Sequence, residues 1–434
     1  MPIISLIQAL WVCFIIVFFF AKIRIGLCLY TAYIILVPYM NINIGIPLQW
    51  NFVNMLLLIA LIWDFSKHKE QYRFNVKPFV PFFFMYGLLF SEIPFQGDVP
   101  LDVSINAFRL ELMLYLILPL AIWNVSQYDN KLSDYLRNTI LGCIVIAVIY
   151  GLYLTTTNGM NPYQILIQAA NGEEWNETYA EVKGGRLFGR ISSVFSHPMT
   201  FGMFLGLALF YLMSLKEILK KYAYLLMALI IVAIFLCGIR SPIGALFVSL
   251  AVYLILSHKV KLFFQMSCLF VIGFAIIQSI PDLANYTTSI FDKNSTEVSG
   301  SSLDMRMEQL MGCLKEIDSN PLFGKGFGWV GWYKSIHGDH PVILSFESLA
   351  FVVLCNSGFI GILIWIITFL KIFRIPTKLG IPKEMKICII LLCVYYLSYS
   401  MITGEYGYMK FLILFYTCML SYSYKKYKNE STLV

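Results

Sequence analysis

Apolar residues come in long blocks along this chain, and polar residues in scraps between them. Runs that could cross a membrane as helices fall near 3–21, 26–41, 51–66, 78–94, 104–123, 137–156, 198–215, 222–239, 241–257, 262–280, 346–370, 387–402 and 407–424. A crossing helix needs roughly 20 apolar residues, and the pattern predicts about 12–13 spans. Residues 1–280 then read as spans interrupted by a smaller polar loop near 157–197, residues 281–345 as a large polar loop, and residues 346–434 as further spans with a polar tail.

The large loop has internal order. Met307, Leu310, Met311, Leu314 and Ile317 recur at three- and four-residue spacing, which predicts a short helix. Asn320-Pro321 ends it, because proline cannot continue a helix and turns its predecessor away from one. Gly324-Lys325-Gly326-Phe327-Gly328 follows as a turn that allows close backbone approach. His337 and His340, two of the five histidines, come next, and Glu347 stands at the edge of the following apolar run.

Composition removes the soluble alternatives. The chain is 59% hydrophobic and 13% charged, with mean hydropathy +0.73, against roughly 25% charged residues in soluble domains. Its solvent is lipid, and the expected fold is an all-α polytopic integral membrane protein. The net charge of +7 is no nucleic-acid signature, because the basic residues cluster in short loops. Such clusters flank residues 67–77, 216–221, 259–261, 371–386 and 425–428, and span counting puts all five on one side, the cytoplasmic one. The ten cysteines show no metal or disulfide spacing and read as small membrane-core residues, with only Cys313 in the large loop. The first apolar run lacks a basic leader and a small-residue cleavage site, so it is expected to remain as a span.

The opposite face then holds 95–103, 157–197, 281–345 and the short break at Arg240. Isolated arginines sit there: Arg186, Arg190, Arg240 and Arg306, with Arg109 about a turn inside a span. An arginine at membrane depth costs several kcal/mol unless it is paired or solvated. Pairing with Glu111 or snorkelling would account for Arg109. Guanidinium is also the side chain suited to bidentate contact with phosphate, and several at one membrane surface suit a lipid-linked diphosphate. Glycine turns beside them could add backbone N–H donors.

Four elements in this order resemble the bacterial O-antigen polymerase and ligase superfamily, which includes Wzy-type polysaccharide polymerases. Arg190, Ser193, Phe195 and Pro198 fall in the register of its first element, with Ser193 where glycine is usual and Met199 where asparagine is usual. Arg240 with Gly244 and Ala245 matches the second. Ser302 and Arg306, a short helix, then Pro321-Leu322-Phe323-Gly324-Lys325-Gly326 match the third, written P-L-x-G-x-G. Glu347, eleven positions before Gly358-Phe359-Ile360-Gly361, matches the fourth, where ligases typically carry histidine and polymerase-like members an acidic residue.

The resemblance, which covers roughly Arg186 to Gly361, implies a GT-C-like membrane glycosyltransferase with a large periplasmic loop containing short helices. It implies inverting transfer at the periplasmic face of the bacterial inner membrane, building O-antigen (lipopolysaccharide), capsular or exopolysaccharide. Undecaprenyl-diphosphate-linked glycans would serve as donor and acceptor, without cofactor, metal or nucleotide sugar. Membrane lipid, a chain-length regulator and a flippase are the expected partners, and nucleic acid is not. Arg190, Arg240, Arg306 and Arg109 would hold the diphosphate, helped by the backbone at Gly324 and Gly326. Glu347 would be the base, with His340 and His337 as rivals. Plainer readings stand beside these: Glu347 as an arginine's ion-pair partner, the two histidines as solvated loop residues, and His197 as the cap of the next helix. Trp329, Trp332 and Tyr333 fit either sugar stacking or anchoring at the headgroups. Transfer to lipid A core by a ligase is the alternative, and a lipid-linked glycan transporter the more remote one.

Overall fold

The computed structural model describes residues 3–37, 41–43, 47–69, 72–157, 160–170, 190–258, 261, 265 and 303–431. Its helices are α1 (Ile3–Ala21), α2 (Ile23–Leu36), α3 (Trp50–His68), α4 (Val80–Glu92), α5 (Leu101–Val125), α6 (Leu132–Tyr153), α7 (Pro162–Ala170), α8 (Pro198–Ser214), α9 (Lys216–Leu219), α10 (Lys221–Leu236), α11 (Arg240–Leu256), α12 (Leu303–Glu316), α13 (Trp329–His337), α14 (Leu349–Lys378), α15 (Lys383–Thr403) and α16 (Met409–Ser431). Every expected apolar run meets one of these except 262–280, which lies outside the described residues apart from 265. The fold is all-α and polytopic. Among the described residues, six stretches are long and apolar enough to cross a membrane: Ile3–Ala21, Lys77–Phe95, Leu101–Ser126, Leu132–Thr157, Leu349–Lys378 and Lys383–Thr403. Helices α2, α8, α10 and α11 are apolar but shorter.

Two boundaries differ from the sequence pattern. The run 26–41 stops being helical at Leu36, and Val37 is extended (φ −120°, ψ 101°), the conformation that a following proline imposes. Beyond it, Asn41–Asn43 and Pro47–Gln49 pair antiparallel, a small hairpin in an otherwise helical protein. The run 346–370 becomes α14, which extends to Lys378 but is broken at Gly358 (φ 58°, ψ −156°). Its crossing part is therefore 359–378, about 30 Å long at 1.5 Å per residue.

Aromatic side chains fill the bundle core. Tyr30, Tyr33, Tyr86, Trp123, Tyr395, Tyr396, Tyr399 and Tyr416 are all fully buried. Small residues let helices approach: a Cβ at Gly206 would lie 1.9 Å from the Tyr395 ring, so α8 and α15 touch there only because the position is glycine. Outward-facing Ile7, Phe14, Ile62, Ile149, Leu225 and Leu363 make the lipid-facing surface.

Loop-to-loop bonds sort the bundle into two ends. At one, Arg24 pairs with Asp129 (3.0 Å), Asn75 N–H and the Tyr72 hydroxyl bond Asn124, and Lys216 faces Glu384 (3.7 Å). At the other, Asn161 donates to the Ser193 carbonyl (2.6 Å), Asp98 N–H to Lys325 C=O (3.3 Å), and Arg306 to Ile402 C=O (2.8 Å). The first end carries the described basic clusters, as span counting predicts. Reporter fusions at Lys221 and Lys378 are expected to read as cytoplasmic and one at Asp339 as outside; a shared reading for all three overturns this topology.

Candidate functional site

The large loop, on the end that span counting places outside, folds as a small unit on the bundle. Cys313 of α12, Ile317 just past its end, Trp329 and Val330 of α13, Ile343, Phe346, and Phe351, Leu354 and Cys355 of upper α14 form its own core. The stripe expected on α12 is only half right. Its buried face runs through Gln309, Cys313 and Ile317, whereas Met307 and Met311 are 61% and 60% exposed. Ser302 and Arg186 lie outside the described residues.

Backbone bonding joins this domain to the membrane. At the break in α14, Cys355 C=O accepts from Lys325 N–H (2.8 Å) and Asn356 C=O from Gly326 N–H (3.0 Å). Below it, Phe359 and Ile360 N–H donate to the carbonyls of Pro321 (3.0 Å) and Leu322 (3.1 Å). The loop thus supplies the partners that the broken helix lacks. Both approaches require glycine: a Cβ at Gly358 would lie 2.4 Å from Leu322 O and one at Gly324 2.7 Å from Gly358 N, and both residues have positive φ. Gly324 N–H itself bonds Asn320 C=O, and Phe327 N–H bonds Gln96 Oε1 (2.9 Å). The N–H groups of residues 324–327 are therefore spent on the protein. Gly324 and Gly326 do not present donors to an anion; they make the joint.

Two loop segments, at 344–347 and 402–407, meet Arg306 of α12. Its Nη2 pairs with Glu347 Oε2 (3.0 Å) and donates to Ile402 C=O (2.8 Å), while Nη1 donates to the Glu347 carbonyl. Burial pushes the Arg306 guanidinium down and the Glu347 charge pulls it back up. Glu347 also accepts from Ser345 Oγ (3.2 Å) and keeps 29% of its side chain exposed. The backbone beside it is strained, with Leu344 at φ 57° and Phe346 at φ 56°, where bulky residues are rare. Tyr406 donates to Ser345 C=O (3.1 Å) and lies close enough to feel both Glu347 and Arg306. Glu405 holds that turn by accepting from Gly407 N–H and Met409 N–H, both at 2.7 Å. Burial raises the Glu405 carboxyl above its ordinary range.

The other two motif arginines stand at the same end. Arg240 opens α11, and one turn on, a Cβ at Gly244 would meet the Ile402 side chain at 3.5 Å, the residue whose carbonyl holds Arg306. Arg190 packs on Gly238, its Cγ 3.1 Å from where a Cβ would stand. Ser193 adopts φ 52°, in the left-handed region that favours glycine, and its hydroxyl donates to Ala147 C=O (2.5 Å). His197 does cap α8, its Nδ1 accepting from Met199 N–H (3.0 Å). Burial first, then the Arg190 charge, lowers its imidazole to about 4.

The rival bases fare differently. His340 is 5% exposed, and its Nδ1 accepts from Val342 and Ile343 N–H (3.1 and 3.0 Å). Its proton therefore sits on Nε2, facing Glu316 Oε1 at 3.2 Å. Both nitrogens are used in holding the loop. His337 is exposed at the end of α13, its ring 4.8 Å from that of Tyr333. Trp329 is buried in the domain core, leaving Trp332 and Tyr333 half-buried. Arg109 is exposed and bonds Asn106 (2.7 Å), not Glu111. Gln96 and Asn356 carry no motif signal in the sequence. Yet Gln96 bridges Phe323 C=O and Phe327 N–H, and Asn356 Oδ1 accepts from Val330 N–H (2.9 Å).

Residues 225–366 match the model of a family described as O-antigen ligase, a segment that includes Arg240, Arg306, the glycine joint and Glu347 but not Arg190. No curated protein matches the chain.

Two outcomes follow from this geometry. Gly358→Ala is expected to cost about 3 kcal/mol or more, from a disallowed φ plus a backbone clash, read as lost yield and faster proteolysis of the outer loop. Gly331→Ala, where a Cβ meets nothing within 4 Å, should change neither. The contribution of neutral His197 is fully present above pH ~6.5 and falls as pH drops towards about 4, since protonation favours the unfolded state and removes the cap acceptor. Thermal unfolding against pH should show that slope, and His197→Asn should flatten it.

Proposed function

We propose, from the match of residues 225–366 to a family described as O-antigen ligase, that this chain is a member of the O-antigen polymerase/ligase superfamily and polymerises undecaprenyl-diphosphate-linked repeat units at the periplasmic face of the inner membrane, with Glu347 as base. The observation that carries this reading is the Arg306–Glu347 pair, at 3.0 Å and partly open to solvent. A donor diphosphate is a better bidentate partner for Arg306 than a single carboxylate, so its arrival exchanges one anion for another. Glu347 is released by that exchange. Donor binding therefore creates the base at the moment it is needed.

Arg240 and Arg190 complete the cationic floor for the leaving diphosphate. The acceptor hydroxyl gives its proton to a Glu347 oxygen while its own oxygen attacks C1 of the donor's reducing-end sugar from the face opposite the diphosphate. The C1–O bond to phosphate breaks, the configuration at C1 inverts, and undecaprenyl diphosphate leaves. Placing His340 in a structural role favours Glu347 over an imidazole. Transfer to lipid A core remains the second reading, since the matching family is described as O-antigen ligase.

Glycan analysis of a deletion strain complemented with variants separates the two. Under the polymerase reading, Glu347→Gln leaves single repeat units on the acceptor and Arg306→Lys retains only short chains, with membrane levels unchanged. Loss of the carboxylate base should lower the rate by about 10²–10⁴-fold. Long chains left on undecaprenyl diphosphate and none attached would establish the ligase instead.

A further inference from the structure

Sequence puts a single cysteine in the outer loop, Cys313, and assigns Cys355 to a membrane span. The break at Gly358 changes that count. The first turns of α14 rise above the membrane part, so Cys355 belongs to the outer domain with Cys313. Both residues are 0% exposed, and both lie in the domain's own nine-residue core where α12 packs on α14. Every other described cysteine sits in a helix of the bundle, except Cys237, which caps the end of α10.

We propose that Cys313 and Cys355 form a disulfide in the mature protein. The proposal rests on the outer face being the oxidising, periplasmic side, as the functional reading has it. Two thiols buried in one small core, on helices that pack together, have only to close to ~2.05 Å between sulfurs. The oxidant is a periplasmic dithiol–disulfide oxidoreductase, acting before the core closes over the pair. One cysteine thiolate attacks the oxidant's disulfide. The second displaces the oxidant from the mixed disulfide, so two electrons pass to it, two protons leave the cysteines and one S–S bond forms.

The bond has a clear task. It ties the helix that carries Arg306 to the helix that Glu347 precedes, and it encloses Gly324, Gly326, α13 and His337 and His340 in one covalent loop. A core this small is the kind that secreted domains staple. Stapling restricts the unfolded loop, so the Arg306–Glu347 geometry is held even when a substrate separates the pair.

The test is made on the full chain in cells. Cells are quenched in acid, denatured with iodoacetamide and digested with trypsin without reductant. The expected product is the peptide Met307–Lys315 joined to Ser335–Lys371, two hydrogens lighter than the free pair, separated by reductant and lost in Cys355→Ser. Recovery of both peptides alkylated overturns the proposal. A second sample, Asp339→Cys probed with a membrane-impermeant maleimide, distinguishes the reasons. Labelling from outside together with alkylated Cys313 and Cys355 means that the disulfide alone is wrong. No labelling from outside means that the sidedness of the functional reading has failed as well.

Discussion

The structure depends on a helix that is broken in the right place. An unbroken α14 would give its backbone groups to itself and leave the outer loop with nothing to bind. At Gly358 it opens instead, and the carbonyls of Cys355 and Asn356 and the N–H groups of Phe359 and Ile360 become an edge that the loop completes. Unsatisfied backbone groups are costly near lipid, so the joint is obligatory rather than decorative. From it hang the position of upper α14, the core of the outer domain, and the placement of Glu347 over the end of α15. Arg306 then closes the contact by binding both Glu347 and the Ile402 carbonyl.

Much of this was legible in the residues. Blocks of apolar sequence mark the helices because lipid tolerates no other regular backbone, and basic clusters mark one end because positive residues stay inside. Ser193, where the resemblance expects glycine, has φ 52°, in the region that glycine favours. Arg306 and Glu347 were separately visible but not as a pair, since 41 residues of chain separate them. The glycine string is legible only as a turn. A turn that permits close approach does not say what approaches, and here it is the protein's own helix.

The histidines show the same limit from another side. A solvent-facing imidazole and one whose two nitrogens are committed look identical in sequence, and only the bonds from Val342, Ile343 and Glu316 tell His340 from His337. Gln96 was invisible because a single glutamine in a short loop carries no periodicity or spacing. Its importance comes wholly from where Phe323 and Phe327 end up.

One property of the joint bears on how such a protein can diverge. The four bonds across Gly358 are made by main-chain atoms alone, so they do not read the side chains at 323 and 325, the two places that the P-L-x-G-x-G pattern leaves open. In this chain Phe323 stacks on Phe95 at 5.0 Å and Lys325 pairs with Asp98 at 2.7 Å. Those two positions fasten a generic hinge to this protein's own 95–103 loop. A relative could exchange that loop and these two residues together, re-tailoring the roof of the site while the hinge and the ion pair beneath it stay untouched.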